Sequence, residues 1–349
     1  MADQVRIKDI AKRAGVSAGT VDRVLHERGE VKAETKELVL KIASELNYKP
    51  NVAAQLLKKS FGYKVAILIP KPTNKKSYWS KHPKGFQNTA RKKSPYNIDF
   101  NFFQFSLNNE NDFVKKTHEL VATKPDGVVL APLYKKESIA FCKQLDGLNI
   151  PYVFIDTSIE GVNNLSYTGE DSIKSSRTAA SLIDTTSDQN KDILIVNISK
   201  DLINSPHLNS RNKGFEEYFN ENRISKRQKI TVNVSSNSMA EVKSKLDSIF
   251  SANKNIGAVF VTSSRVYLVA DYLKQQKIKV RLVGYDLIEE NIRFLNAGII
   301  DFLISQRPVH QAEKAMEIIT DFLIDNKSVI QKSYYQPIDI VNKESLFSS

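Results

Sequence analysis

Arg23, Ser17 and Thr20 lie on or beside one short predicted helix, residues 18–25, and their side chains can bind nucleic acid. An arginine guanidinium can donate two hydrogen bonds to O6 and N7 of a guanine in the major groove. The hydroxyls of Ser17 and Thr20, together with the backbone N–H groups of a helix start, suit phosphate oxygens. The residue types therefore indicate a helix that reads DNA.

Two more predicted helices surround this one. Apolar periodicity predicts a helix over residues 7–14, which Gly15 ends, and Ser17 is a good N-cap for the next helix. A third helix is predicted from about Lys32 to Asn47. Two short helices joined at Gly15 form the helix-turn-helix pattern, although an unrelated three-helix bundle has the same bare pattern. The three helices can bury one small core around Val16, Val21 and Leu46.

A short hinge segment follows. Pro50 breaks the third helix, and Asn51 can cap a helix over residues 52–57. So short a helix is unstable alone in water, so we expect it to fold only against its twin and DNA.

The run IKDIAKRAGVSAGTVDRVL, followed by ELNYKPN and AAQLL, resembles the lactose-repressor/galactose-repressor (LacI/GalR) family. The resemblance implies a sugar-sensing homodimer that binds a palindromic operator in double-stranded DNA. The family's recognition positions correspond to Ser17, Ala18, Gly19 and Arg23 of this sequence. We add Thr20 and Asp22 to the residues predicted to face DNA. In the hinge, the residues predicted to contact DNA are Asn51, Ala54 and Leu57.

Leu57 matches the family leucine that wedges between base pairs in the minor groove and kinks the DNA. Leu56 replaces it if the register slips, and ordinary dimer packing is the alternative role for Leu57. Two departures from the family pattern matter in this helix. Ala18 and Gly19 replace larger polar readers, so direct readout is expected to be poorer there, and Asp22 replaces the serine of the TVSRV motif. A carboxylate at that position repels phosphate, but it can accept from cytosine N4 or orient Arg23.

Composition limits the class of protein. The 349 residues predict two or three domains, and 51 Lys+Arg against 39 Asp+Glu give a net charge of +12, which fits a nucleic-acid partner. The single cysteine, Cys142, excludes an internal disulfide framework and fits a reducing compartment. No apolar run reaches transmembrane length and no signal peptide is visible, so we expect a bacterial cytoplasmic protein, nucleoid-associated through its operator, without a membrane partner.

From residue 63 the pattern alternates between apolar strands and helices, and the alternation restarts after residue 168. This predicts an α + α/β fold: a three-helix headpiece with a hinge helix, then two doubly wound parallel-sheet lobes. Predicted strands are 65–70, 100–105, 127–132, 152–156, 192–198, 229–234, 257–262 and 280–286. Predicted helices are 85–93, 110–123, 136–148, 172–184, 211–222, 239–252 and 265–276.

Residues 63–340 resemble ribose-type periplasmic sugar-binding proteins, most clearly through VGYD followed by LNAGIIDFLISQRPVHQAEKA. The resemblance implies three chain crossings between the lobes, expected near 166–170, 287–303 and 333–337. The predicted domains are a headpiece (1–48), a hinge and linker (49–62), and an effector and dimerisation domain (63–349). Its first lobe is predicted at about 63–167 and 303–333, and its second at about 168–302 and 334–343.

Candidate effector residues follow predicted strands, where a doubly wound sheet binds ligands. Asp156 follows YVFI and Asp286 follows LVGY, and the resemblance implies that both bind sugar hydroxyls. It implies the same for Arg211, which Asn209 could join, and for Gln306. We assign Asp286 and Arg211 to the second lobe and Asp156 and Gln306 to the first. A capping or turn role is the alternative for each carboxylate.

Tyr78 and Trp79, after the first strand, are candidates for stacking on a sugar's C–H face, with lobe packing as the alternative. The family's Asn-Asp pair after a second-lobe strand is replaced here by Ser263 and Ser264, followed by Arg265. Residues 71–93 carry eight Lys/Arg and no Asp or Glu. This run is typical of a solvated face, and otherwise hints at an anionic effector.

Enzyme functions find no support in the motifs. The chain has no GxGxxG opening a helix, no GxxxxGK[ST] and no HExxH, and its five histidines show no metal spacing. We expect no catalytic residue, no cofactor and no metal. A sugar-binding module without DNA function is the second hypothesis, and a gel shift with palindromic DNA separates the two.

Overall fold

The computed structural model describes residues 5, 7–25, 31–46, 48, 62–72, 77–199, 206–221, 227–235, 238–325, 329 and 331–346. The predicted hinge residues Asn51, Ala54, Leu56 and Leu57 lie outside these ranges.

The headpiece has the three predicted helices, α1 (Ile7–Ala14), α2 (Ala18–Leu25) and α3 (Ala33–Glu45). Gly15 ends α1 at φ +66°, a backbone conformation in which a side chain would be strained. The Oγ of Ser17 accepts a hydrogen bond from the backbone N–H of Thr20 at 3.1 Å, as an N-cap does. Val21 is fully buried, and Val16 and Leu46 pack against the same core, so the predicted core is confirmed.

Two six-stranded sheets, covered by helices, form the rest of the described chain. Their strands are β1 (Tyr63–Pro70), β2 (Ile98–Phe105), β3 (Gly127–Leu130), β4 (Tyr152–Ile155), β5 (Ser166–Gly169), β6 (Asp192–Ile198), β7 (Lys229–Val234), β8 (Ile256–Val261), β9 (Arg281–Tyr285), β10 (Phe302–Ser305), β11 (Ser333–Tyr335) and β12 (Asp339–Val341). The first sheet has the order β11-β5-β4-β3-β1-β2, and all its pairings are parallel. The second has the order β12-β10-β9-β8-β6-β7, and only β12 runs antiparallel.

Helices cover the apolar strands and leave their carboxyl ends for polar side chains. They are α4 (His82–Lys92), α5 (Glu110–Ala122), α6 (Lys135–Gly147), α7 (Ser172–Thr186), α8 (Pro206–Glu221), α9 (Met239–Ala252), α10 (Val266–Gln275), α11 (Glu289–Asn296) and α12 (Pro308–Asp325). The inner strands of each sheet are buried on both faces, which explains their continuous apolar runs. Gly85 lets α4 approach α12 closely, since a Cβ there would lie 2.2 Å from the carbonyl oxygen of Val309.

The chain passes between the sheets at three places, one of which differs from the prediction. The first crossing follows β5, which extends the first lobe to residue 169 rather than 167, and the third lies between β11 and β12 at 336–338. The crossing predicted at 287–303 is wrong. That range contains α11 and the start of β10, and β10 belongs to the second sheet because it pairs with β9 and β12. The chain instead crosses at 306–307, so Gln306 follows a second-lobe strand and not a first-lobe one.

Among the described residues, no helix is both long and apolar enough to cross a bilayer. Cys142 is buried and forms no disulfide.

Candidate functional site

Asp156 and Asp286 occupy equivalent positions in the two lobes. Asp156 follows β4 at φ +68° and Asp286 follows β9 at φ +73°, both in the left-handed region that few side chains adopt. Each backbone N–H donates to the neighbouring strand, to the carbonyl of Thr168 at 3.0 Å and of Ile304 at 2.9 Å respectively. The two turns therefore place one carboxylate at the carboxyl-end edge of each sheet.

Asp156 is held by two hydroxyl groups. Tyr78, in a short 3-10 turn (Tyr78–Lys81), donates its OH to Oδ1 at 2.7 Å, and Thr157 donates its Oγ1 to Oδ2 at 3.1 Å. Burial raises the pKa of Asp156 above its ordinary value, although these two hydrogen bonds oppose the rise. Burial also raises the pKa of Tyr78, with Asp156 adding to the effect, so its hydroxyl keeps its proton and donates it.

Asp286 is the more deeply buried carboxyl, with 4% of its surface exposed. The Nε2 of Gln306 lies 3.0 Å from each of its oxygens. Gln311, on α12, donates its Nε2 to the carbonyl oxygen of Gln306 at 2.7 Å and lies 3.4 Å from the OH of Tyr78. A continuous chain of hydrogen bonds thus joins Asp156 on the first lobe to Asp286 on the second. Burial raises the pKa of Asp286 to about 7.

Arg211 is buried on α8 and paired with Glu170, a residue that our sequence reasoning missed. Its Nη2 and Nε both donate to the Glu170 carboxylate, the latter at 3.3 Å, and its Nη1 donates to the carbonyl of Thr262 at 2.6 Å. The guanidinium also lies 3.6 Å from the ring centroid of Tyr285. Burial lowers the pKa of Arg211, but Glu170 and Tyr285 more than offset this and raise it above its usual range. Glu170 lies at the first predicted crossing, directly before the N-cap of α7. An acidic residue at a crossing between the lobes is the sequence feature that could have identified it as a site residue.

Two predicted effector residues lie apart from this group. Trp79 is buried in the first lobe and stacks on His82 with ring centroids 4.5 Å apart, a placement that favours its packing alternative. Asn209 is exposed and helps line a cavity of about 250 Å³ on the flank of α8 that faces β7. It shares that cavity with Asn197, Asn212 and Asn233. It does not join Arg211.

The predicted DNA-contacting face of α2 is open. Ser17, Ala18, Gly19 and Arg23 are exposed, while Thr20 and Asp22 are half-buried. The Nε of Arg23 lies 3.3 Å from the carbonyl oxygen of Gly19 along the same helix. The readout assigned to these residues stays a prediction. Among the described residues no group of histidine, cysteine and carboxylate side chains could hold a metal ion.

Two family models match the chain. The model for bacterial regulatory proteins of the lacI family matches residues 6–51, and the model for a periplasmic binding protein domain matches residues 65–327. The second match covers most of the chain. The chain therefore belongs to the lacI family of regulators with a periplasmic-binding-protein domain, and the resemblance predicted from its motifs is confirmed.

Similar proteins support the same family. The ribose operon repressor of Bacillus subtilis (strain 168) is 28% identical over 172 residues, which is 48% of each protein, so this match spans about half of either length. The ribose operon repressor of Lactococcus lactis subsp. lactis is 23% identical over 348 residues, or 97% of each. A crystal structure of a candidate LacI transcriptional regulator from Bacteroides fragilis superposes with a TM-score of 0.75 and 29% identity, over 81% of this chain and 98% of that one.

Proposed function

We propose that the protein is a transcriptional repressor that binds operator DNA as a homodimer and responds to a small sugar bound between its two lobes. The chain of hydrogen bonds from Asp156 to Asp286 carries this proposal, because it puts one carboxylate from each lobe into a single polar group. Carboxylates that accept from donors suit the paired hydroxyls of a sugar. The open face of α2 supplies the DNA-binding half of the proposal.

Effector binding would act by a population shift. A sugar that contacts both lobes favours their closed arrangement, whereas operator DNA favours the arrangement that pairs two headpieces. The two ligands must then change each other's affinity by the same factor. Binding to an operator requires no catalytic residue, so we propose that the chain is not an enzyme and acts in the cytoplasm at the nucleoid.

The test uses the full-length protein in two steps. A palindromic operator is first selected from a randomised duplex library, and its affinity is measured by fluorescence anisotropy. The operator complex is then titrated with neutral aldoses. We expect one of these sugars to change the affinity for operator. The Asp286→Ala variant should bind operator with wild-type affinity, and no sugar should change that affinity.

Sugar binding without any selected DNA sequence would favour the second hypothesis, a sugar-binding module. Selected DNA with wild-type sugar affinity in Asp286→Ala would show that the cleft is used differently.

A further inference from the structure

The positive charge expected to clamp a ligand is already neutralised inside the protein. Arg211 has 2% of its side chain exposed and Glu170 has 6%, and the two meet through two of the guanidinium nitrogens. The third nitrogen is directed to the carbonyl of Thr262, and one face of the guanidinium is covered by Tyr285. Arg211 therefore offers a ligand little of its formal charge.

Glu170 is itself held from both lobes. The hydroxyl of Ser175 on α7 donates to its carboxylate, and that hydroxyl also lies 2.9 Å from the OH of Tyr285. The backbone carbonyl of Glu170 accepts a hydrogen bond at 3.1 Å from the OH of Tyr167 on β5. Because breaking a buried ion pair leaves an uncompensated charge, a ligand cannot easily displace Glu170 from Arg211.

Two more carboxyl groups, those of Asp156 and Asp286, interact electrostatically with this pair. Glu170 acts on both Asp156 and Asp286 by favouring their protonated forms, which raises the pKa of each, while Arg211 opposes it. Three carboxyl groups are thus coupled to the Arg211 guanidinium, whereas the nearby Arg265 directs its Nη1 to the carbonyl oxygen of Ile198 at 3.1 Å. A ligand at this place needs hydrogen-bond donors, and an additional anion would be repelled.

The described residues of the basic run at 71–93 do not reverse that balance. Lys81, Lys84, Arg91 and Lys92 are exposed on or beside α4, and Lys93 is paired with Asp321. The exposed charges lie on a solvated face. This placement favours the first interpretation of the basic run, a solvated face, over the second, an anionic effector.

We propose that Glu170 determines the charge specificity of the cleft: by pairing with Arg211 it makes the site accept uncharged sugars and reject those that carry a carboxylate or phosphate. This inference rests on the proposed function, since it concerns the same cleft. Glu170 acts through Arg211 and is a positioning residue.

The experiment compares matched sugars by calorimetry on the full-length protein. The probes are D-glucose with D-glucuronate, D-galactose with D-galacturonate, and D-ribose with D-ribose 5-phosphate. The wild type should bind at least one neutral member and bind its anionic counterpart at least about 100-fold more weakly. In Glu170→Gln the anionic counterpart should gain at least about tenfold in affinity, because Arg211 regains an unpaired charge that can form a charge-assisted hydrogen bond.

Two further variants make the result specific. Asp301→Asn breaks another arginine–carboxylate pair of the second lobe, that with Arg281, and should leave the preference unchanged. The double variant Glu170→Gln/Arg211→Gln leaves no uncompensated charge, so it tests the proposal even if the single variant does not fold. It should bind none of the three anionic sugars better than the wild type does.

The outcomes separate the two proposals. Anionic and neutral sugars bound equally by the wild type would overturn the role of Glu170 and leave the proposed function standing. An unchanged preference in a folded Glu170→Gln would overturn it as well, and so would a gain of anion binding in the double variant. A wild type that binds no sugar overturns the proposed function, and this inference with it.

Discussion

Replacing Asp286 with asparagine should remove a pH-dependent loss of stability. Burial raises the pKa of this carboxyl from 3.8 to about 7, so the folded protein holds the proton more tightly than the unfolded chain does. Its stabilising contribution is therefore complete below about pH 4 and is lost as the pH rises through about 7. The difference between 3.8 and about 7 corresponds to about 4 kcal/mol, and no solvent screening offsets it at 4% exposure.

Urea unfolding of full-length wild type and Asp286→Asn, followed by far-UV circular dichroism from about pH 4 to about pH 8, measures this difference. Relative to the variant, the wild type should lose stability as the pH rises to about 7 and should lose no more above that value. Asp271→Asn is the matched control, since its carboxylate on α10 accepts from Gln275 at 2.8 Å outside the cleft. Wild type and Asp286→Asn curves that stay parallel over the whole range would refute the buried, proton-binding carboxyl.

Three further predictions concern DNA and packing. Arg23→Ala should cost roughly 1–3 kcal/mol on the selected operator and flatten base preference at one position; full retained preference in a binding-site selection would contradict the assignment. Leu57→Ala, whose position follows from the family resemblance alone, should reduce DNA bending in a circular-permutation gel assay and leave sugar affinity unchanged; unaltered bending would point to Leu56 or to no wedge. Gly85→Ala should destabilise the first lobe by about 1–3 kcal/mol in thermal melts, because its Cβ would collide with the Val309 carbonyl; an unchanged melting temperature would show that the helices separate freely.

Most of the doubly wound core could be predicted from apolar runs alone. The predicted strands at 192–198 and 229–234 coincide with β6 and β7, and the predicted helix at 239–252 coincides with α9. β6 is buried on both faces and is nearly all apolar, β7 alternates between buried and exposed residues, and the amphipathic helices carry a different period. Strand-like and helix-like patterns alternate along the sequence, so the ends of each strand and helix are well defined.

The path of the chain after β9 could not be read in the same way. β10 is a four-residue strand, FLIS, and its apolar character shows that it is buried but not in which sheet. Its sheet is set by pairing with β9 and with β12, and β12 lies more than thirty residues further along the chain. The second crossing was therefore placed too early, and Gln306 was assigned to the wrong lobe.

The site shows which part of a prediction needs tertiary contacts. Asn209 and Arg211 are two residues apart on α8, so they point about 200° apart around the helix, and periodicity alone argues against a shared ligand. The pairing of Arg211 with Glu170 is different, because the two residues are 41 positions apart and meet only when α7, which Glu170 precedes, packs against α8. A strand-end or helix-start position indicates that a charged side chain can reach the cleft. Whether that charge is available to a ligand depends on a partner from elsewhere in the chain, and here the partner changes the kind of sugar that the cleft is expected to accept.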